Sequence, residues 1–130
     1  MKRIEQYQKK LDIITEKLNN LPDSPGKISQ SHQSVIETSM DIINLLCEDL
    51  GVKKNDLYSN LDELIRLNIF SPDFVKDLRQ LNAMRYLLGN QITNFQDNLV
   101  AAQIEVVQKI LNEFVLKIDE IIHERLSHIE

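Results

Sequence analysis

One cation stands where the helical pattern calls for an apolar side chain. With residues about 100° apart, Phe74, Leu78, Leu81 and Leu88 fall within an arc of about 80°, and Arg85 lands in their midst. A guanidinium inside an apolar stripe is expensive unless it is paired or reaches a pocket. Its planar fork suits a carboxylate or a phosphate. Two carboxylates qualify as partners, Glu37 and Asp41, and the sequence predicts that one of them contacts Arg85. With Asn44 and Glu48 they line one flank of the preceding long helix, as a solvated face or as an acidic wall beside a cleft. Asn90 follows Arg85 by five residues. In unbroken helix it points about 140° away, so the two cooperate only if the chain turns near Gly89 or if they face each other across a dimer axis.

Other candidate groups carry less. Cys47 is the single cysteine and sits among Leu45, Leu46 and Leu50, so it reads as a buried small hydrophobe. It excludes an internal disulfide and a thiolate zinc cluster. His32, His123 and His128 are expected to be partly exposed helix histidines. No H-E-x-x-H pattern, no cysteine pair and no glycine-rich phosphate loop occurs, so no metal or cofactor is expected.

These positions need long helices to hold them. Ile4, Tyr7, Leu11, Ile14 and Leu18 recur at helical spacing, which predicts a first helix over about 2–20. The turn LPDSPG at 21–26 ends it. A second helix is expected over about 28–50, with the stripe Ile36, Met40, Ile43, Cys47 and Leu50 and with Gly51 as its C-cap. A short third helix is expected over about 60–68, capped by Ser59. Ser71-Pro72-Asp73 opens a fourth that reaches about Leu88. The last is expected over about 98–126, capped by Asp97, with an apolar stripe from Ile104 to Ile129. At about 1.5 Å per residue it would run roughly 45 Å, longer than the other helices could cover, so its apolar end predicts a second copy as partner.

The 130 residues include three glycines, three prolines and no tryptophan, which suits one domain over 1–130 made of few long helices. The expected architecture is an all-α, up-down bundle of about five helices, working as a dimer. No apolar run is long enough to span a membrane, and MKRIEQYQKK lacks the apolar block of a signal peptide, so a cytoplasmic location is expected. A net charge of −5 disfavours simple electrostatic capture of nucleic acid, though not a local basic pocket.

The segments SVIETSMDIINLLCEDLG and LDELIRLNIFSPDFVKDLRQLNAMRYLLGNQI resemble the HepT-like branch of the HEPN superfamily. The likeness lies in order and spacing: an acid-bearing second helix, a short helix, an S-P helix start, then an arginine near the end of the fourth helix. It covers roughly residues 1–125. The resemblance implies a helical dimer. It also implies a ribonuclease toxin, with a minimal nucleotidyltransferase as its antitoxin. The family motif is arginine, a polar residue, three further positions, then histidine, often with tyrosine two later. The arginine and histidine of both subunits form its RNA-cleaving site. Arg85 matches the arginine. Tyr86 stands at the polar position, Asn90 at the histidine and Ile92 at the tyrosine.

Those departures bear on the chemistry. Metal-independent RNA cleavage moves a proton off the 2′-hydroxyl and another onto the leaving oxygen, and histidine titrates in the right range. Asparagine only hydrogen-bonds. The expected function is therefore a degenerate HepT-like protein that binds RNA, a nucleotide or a partner protein at the dimer cleft through Arg85 and Asn90, with Glu37, Asp41 and Tyr86 in support. The alternatives are an active ribonuclease toxin, in which Arg85 stabilises the pentavalent phosphate and Asn90 positions the hydroxyl, and a purely structural interaction subunit.

Overall fold

The computed structural model describes residues 3–20, 25–52, 56–89 and 97–125. They form five helices: α1 (Arg3–Asn19), α2 (Pro25–Asp49), α3 (Leu57–Arg66), α4 (Pro72–Gly89) and α5 (Asp97–Arg125). No strand occurs among the described residues, which makes the protein all-helical. None of these helices is long and apolar enough to cross a membrane.

Local chemistry sets the boundaries. α2 starts three residues before its expected position, because Pro25 occupies a first helical turn where a missing N–H costs nothing. It ends in a Schellman turn, with Val52 N–H donating to Cys47 O at 2.8 Å and Gly51 N–H to Glu48 O at 3.2 Å. Gly51 sits there at φ 74°. The third helix begins earlier than expected, and its cap is Asp56 rather than Ser59. The Asp56 carboxylate accepts from Ser59 N–H at 2.9 Å and from the Ser59 hydroxyl at 3.1 Å, bonds that hold it below the usual carboxylate range. A carboxylate three residues upstream captures the free N–H first, so Ser59 becomes the donor. α3 closes on Asn68 at φ 60°, with Ile69 N–H reaching back to Leu64 O at 2.9 Å. At the start of α4, Ser71 Oγ accepts from Phe74 N–H at 3.1 Å, as expected.

Helix directions follow from a few cross-links. Arg3 Nε meets Asp49 at 2.7 Å and Lys17 Nζ donates to Ser34 Oγ at 2.7 Å, so α1 and α2 are antiparallel. His32 and Gln108 meet at 3.1 Å, and Gln8 reaches Asp119 at 3.3 Å, so α5 runs parallel to α2. Phe74, near the start of α4, stacks on Phe114 at 6.4 Å between centroids. From there Gly89 lies about 22 Å along α4 and Asp97 about 25 Å back along α5. A parallel pair would separate those two ends by about 47 Å. Eight residue steps reach at most about 29 Å, so α4 must run antiparallel to α5.

The core uses the faces the periodicity marks. Ile36, Ile43, Leu46 and Cys47 of α2, Leu78 and Leu81 of α4, and Leu111, Phe114 and Ile118 of α5 are all fully buried. The last helix departs from expectation. Ile118, Ile121 and Ile122 are buried within the chain itself. α1 packs on α5, and Gln8 of α1 reaches Asp119 at that end, so this part of the stripe is covered within the chain; Ile129, the end of the expected stripe, lies outside the described residues.

The start of α1 is fastened to the end of α2 by a buried group. The Tyr7 hydroxyl donates to Asp49 at 2.7 Å, and Asp49 also holds Arg3. Burial, and then the Asp49 carboxylate, push the Tyr7 hydroxyl above the ordinary tyrosine value of about 10. A pKa raised by folding gives stability that is complete below pH about 10 and lost as pH rises beyond it. Tyr7→Phe should cost about 2 kcal/mol at pH 8 by urea unfolding, and its deficit relative to wild type should shrink at pH 11.

The two left-handed caps should respond with opposite signs. Gly51→Ala meets no steric obstacle but strains φ, so it should lose about 1 kcal/mol. Asn68→Gly relaxes the same conformation and should gain a few tenths of a kcal/mol in the same denaturation assay.

Candidate functional site

α4 carries the site residue that the sequence singles out. Its inward stripe runs through Leu78 and Leu81, both fully buried, and Arg85 is the next member, half-buried in the last turn. The stripe thus delivers a guanidinium to the rim of the apolar core, where low local dielectric strengthens its hold on an anion. α4 continues in helix as far as Gly89. Asn90 lies outside the described residues, as do the side chain of Tyr86 and the whole of His128.

The register says which groups share the rim with Arg85. Counted from the Phe74–Phe114 stack, Arg85 lies eleven residues, about 16 Å, toward the end of the bundle where α2 and α5 begin. Gln108 lies six residues, about 9 Å, in the same direction. Its partner His32 belongs to that same end.

Glu37 and Asp41 lie the other way. Counted from His32, they sit about 8 and 13 Å further along α2, away from the Arg85 end. Both are exposed, as are Asn44 and Glu48 on the same flank. Along the register of a single chain Glu37 and Asp41 therefore stand about 15 and 21 Å from the level of Arg85. The four polar residues form a solvent-facing line.

His32 is the residue the sequence reading misplaced. It is fully buried, not partly exposed, and its Nε2 is 3.1 Å from Gln108 Nε2. The signal was present, because His32, Ile36, Met40, Ile43 and Cys47 step by four, four, three and four along one face of α2. A histidine on a buried stripe is tolerated when a neighbour satisfies its ring nitrogens. His123 is exposed and bonds Asp119 O through Nδ1 at 2.8 Å, far down α5 from Arg85. Neither described histidine is both open to solvent and near Arg85. No group of three or more histidine, cysteine or acidic side chains suited to a metal occurs among the described residues.

The fork of Arg85 suits a phosphate. Among the described residues, no solvent-open histidine stands near Arg85 to carry protons to and from a substrate.

Comparison with known proteins agrees with the resemblance in the sequence. The family model described as "Ribonuclease HepT-like" matches residues 1–121. A protein of Archaeoglobus fulgidus named "Putative RNase" is 28% identical over 128 residues, covering 94% of this chain and 97% of its own length. A second protein of that organism with the same name is 23% identical over 113 residues, covering 87% and 83%. A similarly named protein of Methanocaldococcus jannaschii is 29% identical over 55 residues, covering 42% of this chain and 63% of its own. No solved structure matches the chain. With its helix order, its arginine at the end of α4 and a match over nearly its full length, the chain belongs to the HepT-like ribonuclease family of the HEPN superfamily.

Proposed function

We propose that this protein is a homodimeric HepT-like protein that holds RNA through Arg85 at a cleft between two copies and has lost efficient cleavage. The observation that carries this reading is the pairing of two facts. Arg85 keeps its place, half-buried at the end of the buried stripe of α4. Asparagine occupies position 90, where the family motif has histidine. An arginine retained where the motif histidine is replaced by asparagine suits grip rather than turnover. Asn90 and Tyr86 are the remaining positions of the site. Glu37 and Asp41 act in it only if they come from the second copy. One domain spans 1–130, in the cytoplasm and without membrane attachment. The family resemblance supplies the partner, a minimal nucleotidyltransferase in a toxin–antitoxin pair.

The names of the relatives favour a second reading, an active ribonuclease in which Asn90 positions the 2′-hydroxyl and Arg85 stabilises the phosphate. A chain that lacks a titrating group at position 90 would then turn over slowly, since losing an acid–base group costs about 10²–10⁴-fold.

The binding reading is tested by fluorescence anisotropy with a labelled single-stranded RNA at low salt. Arg85→Ala should weaken binding by about tenfold or more, and should reduce the salt dependence by about 0.7 of a counterion per lost phosphate contact. Exposed Arg66→Ala, at the far end of α3, should leave affinity within about twofold. Equal affinity of wild type and Arg85→Ala would overturn the reading.

A further inference from the structure

The outer side of α5 carries a charge pattern that the Arg85 site does not use. Lys109, Glu113, Lys117 and Glu120 alternate in sign along it at spacings of four, four and three. Leu116 stands among them at 71% exposed, far above the other large apolar side chains that are exposed. Beside it a groove of about 360 Å³ lies between α4 and α5, lined by Phe74, Leu116, Glu113, Lys117 and Glu120. An exposed leucine next to an open apolar groove is a knob beside its own hole.

We propose that this face of α5 is an interface with a second copy of the chain, packed antiparallel across a two-fold axis. The charges select that occupant, because alternating signs along one helix face are complementary to themselves when two copies run antiparallel. Place the axis level with residue 115, midway between Glu113 and Lys117. Each Lys117 then stands level with the other copy's Glu113. In the same register each Glu120 lies about 1.5 Å in level from the other copy's Lys109. The two Leu116 side chains come within about 3 Å of one level, so each can enter the other's groove. This register brings together four ion pairs and both apolar knobs, with Lys117 and Glu120 exchanging their 3.9 Å contact within one chain for partners across the axis. A parallel two-fold arrangement would set Lys117 against Lys117 and Glu113 against Glu113, which is repulsive.

This contact is separate from the cleft at Arg85. Arg85 lies level with about residue 103 of α5, roughly 18 Å from the proposed axis, so the two Arg85 residues would sit about 36 Å apart along the bundle. The interface therefore adds a contact to the functional dimer, and it stands or falls independently of any RNA binding.

Sedimentation velocity on the full chain at micromolar concentration tests it. Leu116→Glu should halve the mass of the assembly, and circular dichroism should show unchanged helix content because Leu116 is exposed. Lys117→Glu should also lower the mass. The double exchange Glu113→Lys with Lys117→Glu restores opposite charges across the axis and should recover the assembly, while added salt should weaken the wild-type contact. The proposal is overturned if Leu116→Glu keeps the wild-type mass, if the double exchange associates no better than Lys117→Glu alone, or if wild type is a monomer throughout.

Discussion

Every other helix of this protein packs on α2. Its buried residues Val35, Ile36, Met40, Ile42, Ile43, Leu46 and Cys47 occupy more than one narrow stripe. That breadth lets α1, α4 and α5 lie around it at once, and α3 closes the remaining side. At roughly 1.5–3 kcal/mol for each large apolar side chain removed from water, this helix supplies much of what holds the bundle together. It also fixes direction. The Arg3–Asp49 pair and the Lys17–Ser34 bond set α1 against it, and the His32–Gln108 contact aligns α5 with it. Once α5 is aligned, the short connection from Gly89 to Asp97 leaves α4 a single direction.

The site follows from that chain of constraints. The end of α4 comes to the end of the bundle where α2 and α5 begin, and the apolar stripe that buries Leu78 and Leu81 carries Arg85 to the rim. Its position is the geometric heritage of a ribonuclease family. At position 90, where the family motif has histidine, the sequence has asparagine.

Much of the fold was legible because periodicity and punctuation are local. Gly51, Ser71-Pro72-Asp73 and the apolar spacing of α1 and α2 each announced a boundary or a face that the structure contains. The misreadings have physical causes. Asp56 displaced Ser59 as a cap, because its carboxylate accepts the N–H of Ser59 itself and draws Ser59 into the first turn. The stretch from Ile118 to Ile122 looked uncovered because the sequence does not say that α1 packs on α5. His32 was judged by its residue type rather than by its phase with Ile36 and Met40. At the site, the half-buried place of Arg85 on α4 was visible as a break in a pattern. Its distance from Glu37 and Asp41 was not, because that depends on the register between α2 and α4, and register is set by contacts far apart in sequence.

The central claim is that the binding half of a ribonuclease site survives here and the proton-transfer half does not. A cleavage assay on labelled single-stranded RNA in the presence of a chelator tests it most directly, with wild type, Asn90→His and the double variant Arg85→Ala with Asn90→His side by side. The account predicts that wild type leaves the RNA intact, that the histidine variant cuts it, and that the double variant is silent again. Robust cutting by wild type that is abolished by Arg85→Ala alone would contradict it, and would show that asparagine suffices at that position.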